Sequence, residues 1–272
     1  MTISPPHSFR IPVGTGAAKR DIAVEQRPGR APGIFWLGGF RSDMAGGKAM
    51  ALDALGAEQG LGVTRFDYSG HGISGGDFNQ GTISRWLEEA EAVFITTSGP
   101  QIIVGSSMGG WLALLLARAL LRRGSHAHGL VLIAPAPDMT HELMLPDFTP
   151  AEHESLQNHG YVDQPSQYSE TPYRITRALI EDGAQHLLFG GVIETGCPVT
   201  ILQGGQDPDV PPAHAIKLVT HILHDPVTLT LIPDGDHRLS RDEDLGRLKE
   251  AVMRMVDTSP LPSGERSARS AG

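Results

Sequence analysis

Apolar residues along this chain gather into short runs separated by longer segments of mixed polarity. Six of the runs are rich in β-branched residues: Ile34 to Leu37, Val63 to Phe66, Ile102 to Val104, Leu130 to Ile133, Val199 to Leu202 and Val227 to Ile232. Most are apolar at consecutive positions, which is how a strand reads when helices cover both faces of a parallel sheet. Between them, apolar residues at helical spacing predict helices over Met44 to Gln59, Ile83 to Thr96, Met108 to Arg122, Pro211 to Leu223 and Asp242 to Met255. Pro211 and Pro212 suit the start of one of these, and Ser240 is placed to cap another. Strand alternating with helix predicts an α/β fold, a mostly parallel twisted sheet with helices on both faces. Ahead of it, Phe9 to Val13 and Asp21 to Glu25 predict an N-terminal hairpin.

One interval breaks this rhythm. From Pro137 to Gly191 there is no strand signal, while Met139, Leu143, Met144, Leu145, Phe148, Tyr161, Tyr168 and Tyr173 are scattered among polar residues. A structureless loop of that length is improbable in a compact domain, so residues 137–191 are expected to form a small, mostly helical cap. Its place after the fourth clear strand puts it over the C-terminal edge of the sheet, where open α/β folds bind ligands. The core is then split into residues 1–136 and 192–258. The tail, residues 259–272, is rich in Ser, Pro and charge and is expected to be disordered.

Composition narrows the class of partner. The chain has 272 residues, and 22 Lys and Arg stand against 31 Asp and Glu, a net charge of -9. An acidic surface argues against nucleic acid or anionic membrane as main partner. The longest apolar stretch, around Trp111 to Leu121, is interrupted by Arg118 and is too short to span a bilayer. Cys197 is the single cysteine, so no internal disulfide can form and a reducing compartment is expected. The start, MTISPPHSFR, has no apolar run after a basic stretch, so no secretory signal is read there. Together these predict a cytoplasmic protein.

The chemistry centres on Gly105-Ser106-Ser107-Met108-Gly109, a G-x-S-x-G sequence between a strand and a helix. A serine at so sharp a turn adopts a strained backbone, and its neighbours must be very small. The turn holds the hydroxyl clear of the sheet above a helix N-terminus, where free N–H groups favour a developing oxyanion. The spacing selects Ser107 as nucleophile; Ser106 falls on the first x and is expected to point elsewhere. A packing corner would also use small residues, but the strand before and helix after favour a nucleophile.

A serine hydroxyl needs a base, and the base an orienting acid. In serine sites of this kind the chain order is Ser, acid, His. "VTILQGGQDPDVP" ends a strand at Gly204 and enters a helix, so Asp207 sits in a loop at the sheet's C-terminal edge; Asp209 is its competitor. "VTLTLIPDGDHRLS" ends the last strand, and His237 follows in a Gly- and Asp-rich loop. Asp234 and Asp236 read as solvated turn residues beside it. His221 and His224 lie in or next to a helix with no loop to aim them. The oxyanion donors expected are the N–H of Met108 and, from the loop "IFWLGGFRSDM", that of Phe40, with Gly38 and Gly39 allowing close backbone approach.

A second glycine motif competes. Gly70-His71-Gly72-Ile73-Ser74-Gly75 matches G-x-G-x-x-G and follows the strand "VTRFDYS". A dinucleotide site would open a helix immediately, whereas residues 76–81 read as more loop, and no strand ending in an acid follows at the required interval. These glycines are expected to make a turn bordering the pocket. No H-E-x-x-H or Cys/His pairing appears among the 12 histidines, and His126-Ala-His128 lacks acidic neighbours, so neither metal nor cofactor is expected.

The set "FWLGGFRSDMAGGKA", "TRFDYSGHGISGG", "VGSSMGGWLALLLA", "QGGQDPDVP" and "DGDHRLS" resembles the α/β-hydrolase superfamily. More narrowly, it is similar to the abhydrolase domain-containing protein ten group of palmitoyl-protein thioesterases and acyl-glucuronide esterases, with their bacterial relatives. The likeness runs from about Trp36 to Arg238 and includes "QPSQYSE" in the cap. It implies a nucleophile at Ser107, an acid at Asp207 and a base at His237, acting on a small-molecule ester or thioester or on an S-acylated protein, with an acyl pocket lined by the cap's Met, Leu and Tyr residues. The N-terminus departs from the group's mitochondrial members in lacking a long Arg- and Ser-rich presequence.

Overall fold

The computed structural model describes residues 5–164 and 172–258. In chain order its strands and helices are β1 (His7–Val13), β2 (Arg20–Arg27), β3 (Arg30–Leu37), α1 (Gly47–Gln59), β4 (Leu61–Phe66), α2 (Ile83–Phe94), β5 (Gln101–Ser106), α3 (Met108–Arg122) and β6 (Gly129–Ile133). After these come α4 (Leu145–Asp147), α5 (Pro150–Asn158), β7 (Tyr161–Gln164), β8 (Tyr173–Thr176), α6 (Arg177–Gly183), β9 (Val199–Gly204), α7 (Pro212–His221), β10 (Val227–Ile232) and α8 (Asp242–Val256). One 8-stranded sheet runs in the order β1-β2-β4-β3-β5-β6-β9-β10. From β4 to β10 every neighbouring pair is parallel, while β1–β2 and β2–β4 are antiparallel, so the expected hairpin extends the sheet at one edge.

Consecutive apolar residues have the consequence expected of them: every residue of β5 and β6 is buried. One face of the sheet packs on α2, α3 and α7 through Trp86, Trp111, Leu115 and Leu218, the other on α1 and α8 through Leu52, Leu55, Leu248 and Val252. Strand order reverses at β3, which lies between β4 and β5. The loops after β3 and β5 therefore flank the crevice where an open sheet of this kind receives ligands.

Several boundaries differ from the sequence reading. Helix α1 begins at Gly47, not Met44: Met44 is buried in the preceding loop, its N–H donating to Asp67 Oδ1 at 2.7 Å, and Gly46 caps the helix. Helix α8 is capped by Arg241, not Ser240, because Asp244 accepts from both the Arg241 backbone and its guanidinium, while Ser240 Oγ turns back to the Arg238 carbonyl at 2.9 Å. The interval after β6, read as lacking strands, holds an antiparallel pair, β7 and β8, beside its helices. Only Val162 and Ile175 turn inward there, and Asp163 and Arg174 pair on the outer face at 2.7 and 2.8 Å. Alternation that short is drowned by its polar surroundings. Residues 165–171, with Tyr168 and most of "QPSQYSE", and the tail 259–272 lie outside the described residues.

The segment between β6 and β9 is tied start to end by one buried carboxylate. Asp138 accepts from the Leu188 N–H at 2.8 Å and from the Phe189 N–H at 2.9 Å. Helices α4, α5 and α6 lie between those two points.

Candidate active site

Ser107 occupies the turn between β5 and α3 with φ 54° and ψ -118°, a left-handed backbone that an L-residue adopts only where its surroundings enforce it. The glycines around it are dictated by contact. A Cβ at Gly105 would fall 2.3 Å from the Gly109 carbonyl oxygen, and one at Gly109 would fall 2.1 Å from that of Leu37. Strand β3, strand β5 and the start of α3 meet here with no space for a methyl group.

His237, in the loop between β10 and α8, reaches Ser107 Oγ with Nε2 at 3.1 Å and Asp207 Oδ2 with Nδ1 at 2.8 Å. Asp207 lies in the loop after β9 with its side chain fully buried. Its Oδ1 accepts the N–H groups of Asp209 and Val210 at 2.9 and 2.8 Å, and Gln203 Nε2 lies 3.2 Å from Oδ2. The acceptor Oδ2 fixes a proton on Nδ1 and leaves the Nε2 lone pair facing the serine hydroxyl. Ser107, Asp207 and His237, distant in sequence, are thus in one hydrogen-bonded line.

The hydrogen bond to His237 Nδ1 is made by Asp207, and Asp209 supplies a backbone N–H to that carboxylate. Asp234 pairs with Arg241 at 2.6 Å, and Asp236 accepts from Leu239 N–H. Ser106 ends β5, paired with Ile133, and lines the crevice without reaching His237. His221 binds a carbonyl of its own helix, and His128 Nε2 lies 2.9 Å from the Met255 carbonyl.

The loop after β3 lies against the serine: a Cβ on Gly39 would be 3.5 Å from Ser107 Cβ. Gly39 O accepts from Ser42 N–H and Oγ at 3.1 and 2.8 Å. The N–H groups of Phe40 and Met108 have no acceptor among the described residues. Both expected oxyanion donors therefore remain available beside Ser107.

Asp207, Asp209 and His237 each offer an atom within 4.8 Å of the others. The set does not suit a metal, because Asp207 Oδ1 already accepts two backbone N–H groups and Oδ2 is engaged with His237.

A cavity of about 440 Å³ opens beside the serine, lined among others by Trp36, Phe40, Arg41, Lys48, Tyr173 and Arg238. Of the cap residues expected to line an acyl pocket, Tyr173 does so here. Met139 is buried in the core, Leu143, Met144 and Leu145 pack against that core, and Tyr161 lies under the Arg174 guanidinium. The cavity is more cationic than the sequence reading anticipated. Lys48, at the N-terminus of α1, donates to the Arg238 carbonyl and to Ser240 Oγ, and burial brings its ammonium down to about 8. Gln203, Arg41 and Lys48 carried no motif that could flag them; each becomes visible only when distant segments meet.

A strand–turn–helix serine at the switch point of such a sheet defines a hydrolase-type scaffold. Residues 31–248 match the model of the alpha/beta hydrolase family, and the chain belongs to that family. It is 32% identical over 241 residues to the mitochondrial palmitoyl-protein thioesterase ABHD10 of Bos taurus, covering 87% of this chain and 77% of the relative, and at the same identity to that of Mus musculus, covering 79% of it. Among solved structures, one from Agrobacterium vitis S4 superposes with TM-score 0.91 at 50% identity, covering 93% of this chain and all 100% of the other. Mouse alpha/beta hydrolase domain-containing protein 10 gives TM-score 0.81 at 29% identity, over 92% of this chain and 98% of that one. No helix among the described residues is long and apolar enough to cross a membrane.

Proposed function

We propose that this chain is a serine hydrolase that cleaves carboxylic ester or thioester bonds through an acyl-enzyme at Ser107. The observation that carries the reading is the line from Asp207 through His237 to Ser107, set on a turn with φ 54°. His237 takes the Ser107 proton as Oγ attacks the acyl carbonyl. The oxyanion is held by the N–H groups of Phe40 and Met108, and the positive end of α3 adds to that field. His237 then gives its proton to the departing alkoxide or thiolate, and the acyl group stays on Ser107. Water, deprotonated by His237, releases the acid and restores the enzyme, while Asp207 stabilises the imidazolium in both halves. The reaction draws on no metal or cofactor.

The relatives' name, palmitoyl-protein thioesterase, supports an S-acylated protein or another acyl donor as substrate. A second reading has its own observation. Arg41, Lys48 and Arg238 line the cavity against the lone carboxylate of Asp43, which favours a substrate bearing a negative charge near the scissile bond, such as an acyl glucuronide. Cytoplasmic placement is part of the proposal and rests on the single, buried Cys197; fractionation of cells expressing the chain checks it.

The first test is steady-state hydrolysis of an S-palmitoyl cysteine peptide, short aryl esters and an acyl glucuronide by the wild type and Ser107→Ala. Turnover should fall by about 10⁴-fold or more in the alanine variant, and a fluorophosphonate should label Ser107 in the wild type alone. Turnover that survives the substitution overturns the acyl-enzyme reading. Labelling without turnover on any of these acyl donors would point to another scissile bond, an amide or a C–C bond. Neither labelling nor turnover would leave a ligand-binding protein.

A further inference from the structure

The turn Gly70 to Gly75 is the motif that the hydrolase reading leaves without a role, and its histidine points at the site. His71 is 3% exposed and boxed by the rings of Phe78 at 5.1 Å, Trp86 at 5.4 Å and Tyr68 at 5.5 Å, each edge-on. Its flanking glycines make this burial possible. A Cβ on Gly70 would fall 2.4 Å from Phe78 Cα, and one on Gly72 would fall 2.0 Å from Asp67 Oδ2.

The two ring nitrogens face opposite partners. Nδ1 lies 3.2 Å from the Ser69 carbonyl, and Nε2 lies 3.1 Å from the backbone nitrogen of Arg41. A carbonyl only accepts and an amide N–H only donates, so the proton is on Nδ1 and the lone pair on Nε2 receives the Arg41 N–H. Ser69 is itself held: Trp86 Nε1 donates to its carbonyl at 3.3 Å, and its N–H donates to the buried Glu89 at 2.8 Å. Burial, reinforced by the Arg41 charge, keeps the imidazole neutral down to about pH 4.

The Arg41 end of this contact is the loop that carries Phe40. Residues 39–42 close a turn through Ser42 N–H to Gly39 O, and Arg41, its third residue, has φ 58°. That position of a type II turn is one glycine normally fills, and an L-residue there is held by its surroundings. Arg41 has two such holds. Its N–H is taken by His71, and its guanidinium lies over Phe78 at 4.5 Å and Tyr173 at 5.1 Å. The turn is thus pinned on both sides of the Phe40 N–H, by Ser42 at Gly39 and by His71 at Arg41.

We propose that His71 is a positioning residue for the oxyanion hole: by accepting the Arg41 N–H it holds the 39–42 turn so that the Phe40 N–H faces the reacting carbonyl at Ser107. The inference rests on the hydrolase reading above. Its effect belongs to the transition state, so removing the acceptor should lower kcat and leave KM nearly unchanged.

The test compares three substitutions on a short aryl ester. In His71→Gln the amide oxygen reaches the place of Nε2 and can still accept. His71→Asn keeps a donor toward Ser69 but is too short to reach Arg41, and His71→Leu has neither. The expected result is a kcat about 30- to 300-fold lower in the Asn and Leu variants with KM within about twofold, and recovery in Gln to within about fivefold of wild type. Affinity for a boronic acid transition-state analogue should fall in parallel with kcat/KM. Where Leu fails to fold, Asn carries the comparison, and Arg41→Gly in the Asn background should restore part of kcat because glycine takes the turn unaided. Unchanged kcat in a folded Asn variant, or a Gln variant no better than Asn, overturns the inference while fluorophosphonate labelling of Ser107 leaves the hydrolase reading standing. A wild type whose Ser107 neither labels nor matters to turnover overturns both.

Discussion

At Gly109 the backbone of α3 passes so close to β3 that alanine cannot be placed without moving one of them: its methyl group would stand 2.1 Å from the Leu37 carbonyl oxygen. Gly109→Ala should lose at least about 3 kcal/mol in urea unfolding, by forcing the start of α3 off the sheet. Gly246, inside α8, has nothing within 4 Å of its missing Cβ, and Gly246→Ala should gain about 0.5–1 kcal/mol in the same measurement. His71 sets a pH dependence at the same scale. Folded, it titrates near 4; unfolded, near 6.5. Between those values the unfolded chain binds the extra proton, so this contribution is intact above pH 6.5 and fades as pH falls through 4, by about 3 kcal/mol in all. Comparing acid unfolding of wild type and His71→Gln isolates it: the variant's curve should be flatter across that window. Ser107 and His237 were legible in the sequence because local spacing marks a strand–turn–helix serine and a loop histidine. The part of His71 was not, since the amide it accepts from lies 30 positions away.

Between elements, a buried ion pair joins β2 to α2. Arg20 Nε donates to Glu89 Oε1, and Glu89, with no exposure, also receives the Ser69 N–H. Arg20→Met would strand that carboxylate in the core and should cost about 3–5 kcal/mol in chemical denaturation, most of it regained on adding Glu89→Gln, which keeps the acceptor for Ser69 and removes the charge. Element type and order followed from the apolar pattern for the six core strands, because most are buried on both faces and read as consecutive apolar residues, while the edge strand β10 alternates. The start of α1 and the cap of α8 did not. Each is decided by a particular hydrogen bond, Met44 to Asp67 in one and Arg241 to Asp244 in the other, and a periodicity carries no trace of those. Strands β7 and β8 escaped for a different reason: they are short, and only Val162 and Ile175 turn to the core.

Taken whole, the molecule carries net charge -9, yet its cavity presents Arg41, Lys48 and Arg238. That contrast concentrates field lines at the mouth. For an ester with an anionic leaving group, kcat/KM should fall several-fold between about 20 and 500 mM salt, while a neutral ester barely responds. Lys48→Met should flatten the salt response. Because Lys48 titrates at about 8, KM for the anionic ester should rise as pH passes that value. The carboxylate of Asp138 adds something at this scale. Near the start of the segment between β6 and β9, it accepts from Leu188 and Phe189 towards the segment's end and so ties one to the other. The stretch between those points is bound into the rest all the same: Phe148, Leu156, Val162, Ile175, Leu179 and Ile180 belong to the large core, and Tyr173 lies against the Arg41 guanidinium. A graft cut at Asp138 and Leu188 would inherit an anchored frame but would have to rebuild that shared core, so a new substrate calls for rewriting the two surfaces together.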